Sequence, residues 1–305
     1  MAIQKELWSG AIQENFYTGI EVIKQAFTDD TIFLMSGANG AKTSHVPSAG
    51  SLGSPTKGNS TYPVSITERP DQDVSYDLSN YEIGPLRLGA FDQFQLEYDK
   101  LQSITNDFMG GLGDRAAREI MIANYHYTAG KYVNTTGSAY AAHVASGTGN
   151  RKGLTGADLR KAAGIMDTQV VPQNERYLLV DSTMFWQLMD DMGYNSTRVE
   201  LKAMEGFQIL STPVYGFTVI TMPLVVTATA AGVVNAFGAT GATTDVAVAL
   251  AIQKSCGSFA STDVFSFTSE QRPEYFGDIL SATLYCGGSY RRYDKKGIVP
   301  ILGVS

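Results

Sequence analysis

The stretch LTGADLRKAAGIMDTQVVPQNERYLLVDSTMFWQLM, residues Leu154–Met189, carries the clearest local structural signals in the chain. Thr155 is a favourable N-cap residue, and Asp158 stands at the third helical position, so the pair predicts a helix that begins with a near capping box. Pro172 lies beyond the end of that helix. The apolar run Tyr177–Val180 then predicts a buried strand.

The rest of the chain after this strand mixes helix and strand signals. DSTMFWQLMDDMG predicts another helix, with Asp181 or Ser182 as its cap and Gly193 as its stop. Apolar patterns predict strands at Phe207–Leu210, Phe217–Met222, Ala247–Gln253, Phe265–Thr268 and Leu280–Tyr285. Because helices and strands alternate without a regular βαβ rhythm, the predicted fold class is α+β.

A long helical region is predicted ahead of this stretch. Apolar side chains recur every three or four residues in two runs: Phe94, Tyr98, Leu101, Ile104 and Phe108, then Ala116, Ile120, Ala123 and Tyr127. The second run closes near Gly130. Gly110, Gly111 and Gly113 lie between the runs, and their poor helix propensity predicts a bend or a break there.

The first 90 residues have a different composition. Residues 1–30 place apolar side chains at helical spacing and predict a short amphipathic arm. Residues 31–90 are rich in Gly, Ser, Thr, Asn and Pro, and Tyr62–Thr67 and Val74–Leu78 alternate as strands do. This pattern predicts a long two-stranded excursion with a mobile tip at Ser36–Thr61. Since structureless loops of this length are uncommon inside compact domains, we expect the excursion to rest on a neighbouring molecule.

The overall composition limits the class of protein. The chain has 305 residues, a formal net charge of 23 − 30 = −7, two cysteines and 17% charged residues. Ordinary soluble domains have about 25% charged residues. The deficit fits either a large core with Ser/Thr/Gly-rich loops or a subunit whose faces are covered by copies of itself. The acidic balance argues against a protein that holds nucleic acid mainly by charge. The cysteine count excludes a disulfide scaffold, and no signal peptide or membrane span is predicted.

Motifs of catalysis and cofactor binding fail in detail. Gly37–Thr43 resembles a phosphate-binding loop, but Ala41 stands where a glycine is required before the lysine. No G-x-S-x-G elbow is present, and His45, His126 and His143 lack a metal-binding spacing. Asp190 and the aspartate after it diverge on a helix and form no acid–base pair. We therefore predict no enzyme activity, no catalytic residue, no cofactor and no metal site.

The C-terminal part of the chain carries a basic cluster: Arg291, Arg292, Lys295 and Lys296. In a chain of net charge −7, these side chains are expected to pair with acidic residues of a neighbouring subunit in preference to nucleic acid.

Three stretches, taken in order, carry a resemblance to a known family. The first is Leu154–Met189, the second is GFQILSTPVYGFTVITMPLV from Gly206, and the third combines AIQKSCGSFA from Ala251 with EQRPEYFGDILSATLYCGGSYRRYDKKGIV from Glu270. The matching positions are Pro172, Arg176, Leu179, Val180, Trp186, Gly206, Ile209, Gly216, Val219, Pro223, Gly277, Asp278, Gly288, Arg291 and Gly297. Their joint order over about two thirds of the chain resembles the major capsid proteins of tailed bacteriophages, whose Hong Kong 97-like fold is shared with encapsulin shells.

The resemblance implies a division of the chain into five parts. These are an N-terminal arm (1–30), an extended loop (31–90), a peripheral domain with a long helix (91–153), an axial domain (154–250) and the returning strands of the peripheral domain (251–305). Within the loop, Lys42, Lys57 and Arg69 are then expected to contact neighbouring subunits. Some family members crosslink a loop lysine to an asparagine, but no partner residue matches here and that chemistry is not predicted.

The function that the resemblance implies is a major capsid protein. Identical chains would form pentamers and hexamers that close into an icosahedral shell around double-stranded DNA, held without sequence-specific binding. The chain begins almost directly in the arm, which implies a separate scaffolding protein, and a portal protein is a further expected partner. The expected location is the virion, after assembly in the host cytoplasm. Alternatives are an encapsulin-like shell for protein cargo, a hydrolase, and a tail or adhesin protein.

Overall fold

A computed structural model describes residues 21–31, 43–50, 55, 57–60, 62–64, 66, 68–89, 100–192, 201–204, 207–210, 213–223, 225–262 and 264–304. The helices are α1 Glu21–Ala26, α2 Lys100–Asn124, α3 Gly156–Thr168 and α4 Ser182–Asp191. The strands are β1 Thr28–Asp29, β2 Thr43–Ser48, β3 Gln72–Asp77, β4 Ser79–Gly89, β5 Val133–Asn134, β6 Ala139–Ala141, β7 Asn150–Lys152, β8 Arg176–Asp181, β9 Leu201–Met204, β10 Phe207–Leu210, β11 Thr218–Met222, β12 Val226–Ala228, β13 Val246–Gln253, β14 Gly257–Ser261, β15 Phe265–Arg272, β16 Gly277–Tyr290 and β17 Ile298–Leu302. The α+β class is confirmed.

The larger sheet forms the main core of the protein. Its strands follow the order β5-β17-β13-β8-β11-β10-β9, and β12 pairs with β13. Every residue of β13 and of β17 is buried. Helix α3 packs on β17 and β5, while α4 packs on β8 and β11. The sheet therefore unites the predicted strand at Tyr177–Val180 with segments from the end of the chain.

The smaller sheet is organised around the long strand β16. Along one edge β16 pairs with β4, and along the other it pairs with β14 and then β15. Strand β1 adds in parallel to β14. Helix α2 lies across β16, and the side chains of Leu88, Phe108, Leu112, Leu280 and Leu284 fill the space between them. This sheet leaves the opposite face of β15 and β16 uncovered by α2.

The predicted break in the long helix is wrong, because α2 runs through Gly110, Gly111 and Gly113 without interruption. Each glycine disfavours a helix by roughly 1 kcal/mol relative to alanine. Packing outweighs that local preference here, since one apolar stripe continues across the glycines at Phe108, Leu112, Ala116 and Ile120, all buried. The helix ends at Asn124, earlier than predicted, and the Asn124 amide bonds the backbone of Ser258.

The predicted excursion begins as a two-stranded hairpin. Strands β2 and β3 pair from Thr43 with Asp77 to Ser48 with Gln72. The prediction of a strand at Tyr62–Thr67 is wrong for its described residues 62–64 and 66, which belong to no strand. Alternation was misleading there because those side chains have no sheet face to pack on. Strand β4, at the end of the predicted loop, instead joins the smaller sheet.

Several predictions concern residues outside the described part of the chain. They include the first twenty residues of the arm, Phe94, Tyr98, Lys42 and Gly193. The division of the chain into an arm, a loop, a peripheral domain and an axial domain also stays a prediction.

The link between α3 and β8 is held by one buried arginine. Arg176 has 3% of its side chain exposed, and its guanidinium donates to the carbonyl oxygens of Pro172 at 2.9 Å and Val171 at 2.7 Å. It also donates to Asp167 Oδ1 at 2.7 Å, at the end of α3. The guanidinium therefore satisfies backbone oxygens that the turn would otherwise bury without donors.

Arg176→Ala is expected to lower the free energy of unfolding by about 3 kcal/mol, because the buried Val171 carbonyl oxygen, the partly buried Pro172 oxygen and the Asp167 carboxylate all lose a charged donor. Urea titration of the purified chain measures the change. Arg160→Ala is the matched control, since Arg160 is an exposed arginine on α3. Equal stability of the two variants would show that the arginine does not hold the link.

Candidate functional site

The described residues between β2 and β3 are mostly exposed and belong to neither of the two large sheets. The base of this hairpin is anchored, because Val46, Tyr76 and Leu78 bury their side chains against Ala260. Further out the two arms still lie side by side, with the Gly50 N–H donating to Asp71 Oδ1 at 3.0 Å. Lys57 is exposed, and Arg69 pairs with Asp71 at 2.6 Å on the surface. Of the two predicted contact residues in this loop that the structure describes, Arg69 is paired and Lys57 is exposed with no ion-pair partner.

The C-terminal basic cluster has partners inside its own chain. Arg292 and Lys296 both pair with Asp294, at 2.9 and 3.3 Å. The Arg292 guanidinium, followed by the Lys296 ammonium, holds the pKa of Asp294 well below its usual range. Lys295 lies over the Tyr290 ring at 4.9 Å. The sequence offered the signal for these pairs, because Asp294 stands in the middle of the cluster. Contact of the cluster with a neighbouring subunit stays a prediction.

Arg291 is the fourth member of the cluster and reaches a buried aspartate. Its Nη2 lies 3.4 Å from Asp30 Oδ1, close enough for charge attraction although that oxygen has no hydrogen bond. The Tyr76 hydroxyl donates to Asp30 Oδ2 at 3.5 Å, and the Asp30 N–H donates to the Phe259 carbonyl at 2.8 Å. Four segments far apart in sequence therefore meet at one carboxyl: the end of β1, the base of the hairpin, β14 and the basic cluster.

The Asp30 carboxyl should make stability depend on pH. Burial raises the pKa of Asp30 above its ordinary value of 3.8, against the opposing effects of Arg291 and the Ser258 and Tyr76 hydroxyls. The folded chain thus holds this proton more tightly than the unfolded chain. The contribution of Asp30 to the free energy of unfolding is therefore greatest below pH 3.8 and falls as pH rises through the raised pKa.

Asp30→Asn is expected to remove that slope, since the amide keeps the shape of the protonated carboxyl without titrating. The free energy of unfolding is measured for both proteins by urea titration from about pH 4 to 7. The value for the wild type minus the value for the variant should decrease as the pH rises. Asp190→Asn, at an exposed position, provides the control. A difference that stays constant or grows with pH would contradict this assignment.

Exposed apolar side chains occur at many places on the described surface, and two groups of them stand at alternate positions of one segment. Between β2 and β3, Tyr62, Val64 and Ile66 are 76%, 55% and 97% exposed. On the uncovered face of the smaller sheet, Phe265 and Phe267 are 50% and 59% exposed. Both segments were predicted only as strands. Their sequences did contain a signal for a further contact, because polar residues such as Ser65 and Ser266 alternate with the apolar ones and only the apolar side chains can gain from burial.

The described residues hold no arrangement typical of an enzyme or a metal site. None of their His, Cys, Asp and Glu side chains form a group of three or more that could bind a metal ion. His143 Nε2 lies 2.7 Å from Asp181, but that aspartate also caps α4 by accepting from the Met184 N–H, so the pair has a structural use. Among the helices of the described chain, none has the length and apolarity to cross a membrane.

Comparison with known proteins identifies the class. The family model "Phage capsid protein" matches residues 90–268, which is more than half of the chain. The chain therefore belongs to the phage capsid protein family, a family of structural proteins, and the resemblance seen in the sequence is confirmed. No curated protein matches.

Solved structures show the same fold. The capsid of the cyanophage P-SCSP1u is 17% identical with a TM-score of 0.66, over 98% of this chain and 93% of that one. The Mycobacterium phage Che8 structure is 14% identical with a TM-score of 0.58, over 98% and 97%. The capsid of Ralstonia phage GP4 is 9% identical with a TM-score of 0.63, over 99% and 96%. The Hong Kong 97-like fold is thereby confirmed.

Proposed function

We propose that this chain is the subunit of an icosahedral shell, in which copies form pentamers and hexamers around double-stranded DNA. The observation that carries the proposal is the exposed hairpin: its base is anchored in the protein, and its outer part offers apolar side chains that the described chain does not cover. Membership of the phage capsid protein family supports it. So does the similarity of its fold to the asymmetric unit of the mature capsid of bacteriophage PhiM1.

The proposed partners follow from this role. Copies of the chain are the first, with the 1–30 arm and the 31–90 loop lying on neighbours, while the 91–153, 154–250 and 251–305 parts form the body of the shell. Contacts at Lys42, Lys57, Arg69 and the C-terminal basic cluster belong to the same proposal. A scaffolding protein and a portal protein are the other proposed protein partners. Net charge −7 suits a container that must not grip its DNA tightly.

The contents of the particles test the proposal. Particles isolated from lysed host cells and treated with nuclease are expected to protect double-stranded DNA, with this chain as their most abundant protein. Particles that enclose protein and no DNA would favour an encapsulin-like compartment instead.

A further inference from the structure

A small, largely enclosed cavity lies where the β6–β7 hairpin meets the turn before β13 and helix α4. Arg151 of β7, Asp245 directly before β13 and Gln187 of α4 all line it. We propose that this cavity binds one water molecule, which accepts a hydrogen bond from Arg151 Nε and donates one to Asp245 Oδ1. The site belongs to the larger sheet and its helices, so the inference does not depend on the proposed shell function.

The Arg151 guanidinium has one donor without a partner. A guanidinium carries five N–H donors. Its Nη1 donates to the carbonyl oxygens of Thr148 at 3.0 Å and Asn150 at 3.2 Å. Its Nη2 donates to those of Thr243 at 3.1 Å and Asp245 at 3.3 Å. The fifth donor, on Nε, is buried and has no hydrogen-bond partner in the protein, which is costly for a charged group.

The Asp245 carboxylate has the complementary shortage, because one of its two oxygens lacks a donor. The residue is 1% exposed. Its Oδ2 accepts from Asn235 Nδ2 at 2.7 Å and from the Ala242 N–H at 2.8 Å, whereas the buried Oδ1 has no hydrogen-bond partner in the protein. A free donor on a cation and a free acceptor on an anion therefore line the same cavity.

These two atoms determine the chemistry of the ligand, which must accept one hydrogen bond and donate another. A metal cation cannot accept from an N–H group, and the guanidinium would repel it. Chloride has no proton to donate, and the carboxylate would repel it. The cavity offers about 10 Å³ to a water molecule, which is about the least that one water requires, so larger molecules are excluded. Water meets all of these conditions.

Gln187 provides the third partner of the water. This residue is 7% exposed, and its Oε1 already accepts from the Leu154 N–H at 3.2 Å. Its Nε2 is therefore the end of the amide that is left to donate into the cavity. The water then accepts two hydrogen bonds and donates one, and three bonds are typical of a buried water. It joins β7, the turn before β13 and α4.

A density map of the wild-type chain tests the site directly. The map comes from crystals or from electron microscopy, assembled or not, at a resolution that shows ordered waters elsewhere in the protein. A single peak is expected at hydrogen-bond distance from both Arg151 Nε and Asp245 Oδ1. An empty cavity, a direct contact between these two atoms, or a peak surrounded by oxygen ligands at the shorter distances of a metal ion would each overturn the proposal.

Asp245→Asn tests the role of the carboxylate oxygen. Because Asn235 and Ala242 both donate to the Oδ2 position, the asparagine oxygen is expected there, with its nitrogen facing the cavity. Three donors would then point at a molecule with two acceptor lone pairs, and the water peak is expected to disappear. Asp190→Asn makes the same change at an exposed position and should retain the peak.

Urea titration establishes that both variants are folded. A water peak that is equally strong in Asp245→Asn and in Asp190→Asn would contradict the assigned hydrogen bonds. If Asp245→Asn does not fold, the wild-type map alone decides, since each of its outcomes either supports or overturns the site.

Discussion

A chain that lacks residues 51–69, with Gly50 joined to Pro70 through an Asn-Gly pair, is expected to fold as the wild type does and to form no closed shell. The deletion begins where the two hairpin arms still lie side by side, because the Gly50 N–H bonds Asp71 there. It leaves β2, β3 and the burial of Val46 and Tyr76 untouched. Asn-Gly is the two-residue sequence that best closes an antiparallel pair.

The physical reason is that the deletion removes the exposed apolar side chains of Tyr62, Val64 and Ile66, which the proposed shell would cover. Shell formation depends on many weak contacts made together. When one contact is lost at every subunit, the loss of interaction free energy is therefore repeated throughout the particle. Electron microscopy measures assembly, and urea titration of the same sample measures folding. Shells of normal size and abundance from the shortened chain would contradict the proposed role of the hairpin.

Asp158→Ala is expected to lower the free energy of unfolding by about 4 kcal/mol, the largest effect that we expect from a single substitution. The Asp158 carboxylate is fully buried and accepts from the N–H and hydroxyl of Thr155 and from the N–H and hydroxyl of Thr136. It also pairs with Lys161 at 3.3 Å. Removal of the carboxylate leaves the buried donors of Thr155 without this acceptor and breaks the bonds to Thr136 that attach the start of α3 to the segment after β5.

Two further variants separate the parts of this effect. Thr155→Ala removes the cap and retains the carboxylate, and it is expected to lose about 1 kcal/mol. Asp190→Ala removes an exposed carboxylate from the neighbouring helix and should change stability little. Urea titration ranks the three variants by their free energies of unfolding. If Asp158→Ala lowers that free energy no more than Thr155→Ala does, the carboxylate does not link the helix to the preceding segment.

The structure around Asp158 also shows what the sequence can predict. The capping box of α3 depends on two residues three positions apart, and the structure contains both of its hydrogen bonds. The strands β8, β10, β11 and β13 were predicted from their own apolar patterns. The hydrogen bond between Thr136 and Asp158 could not be predicted from this pattern, because the two residues are 22 positions apart and local spacing contains no information about such a contact.

Contacts over longer separations account for the other differences. The two hydrogen bonds between Asn124 and Ser258, and the Asp30 contacts with Tyr76 and Arg291, join segments that only the folded sheets bring together. The interruption of α2 was predicted from helix propensity alone, and that prediction failed for the same reason. The helix is continuous because it packs on the sheet beneath the glycines. The alternation at Tyr62–Ile66 was real, but the sequence could not say whether a sheet face would be present to receive it.

Electron microscopy of the purified full-length chain at high concentration tests the central claim most directly. Rings of five or six subunits are expected from the purified chain alone, and round closed shells of uniform diameter are expected when the proposed scaffolding protein is also present. A preparation that is correctly folded by urea titration and yet contains only single molecules, at every concentration up to the highest attainable, would contradict it.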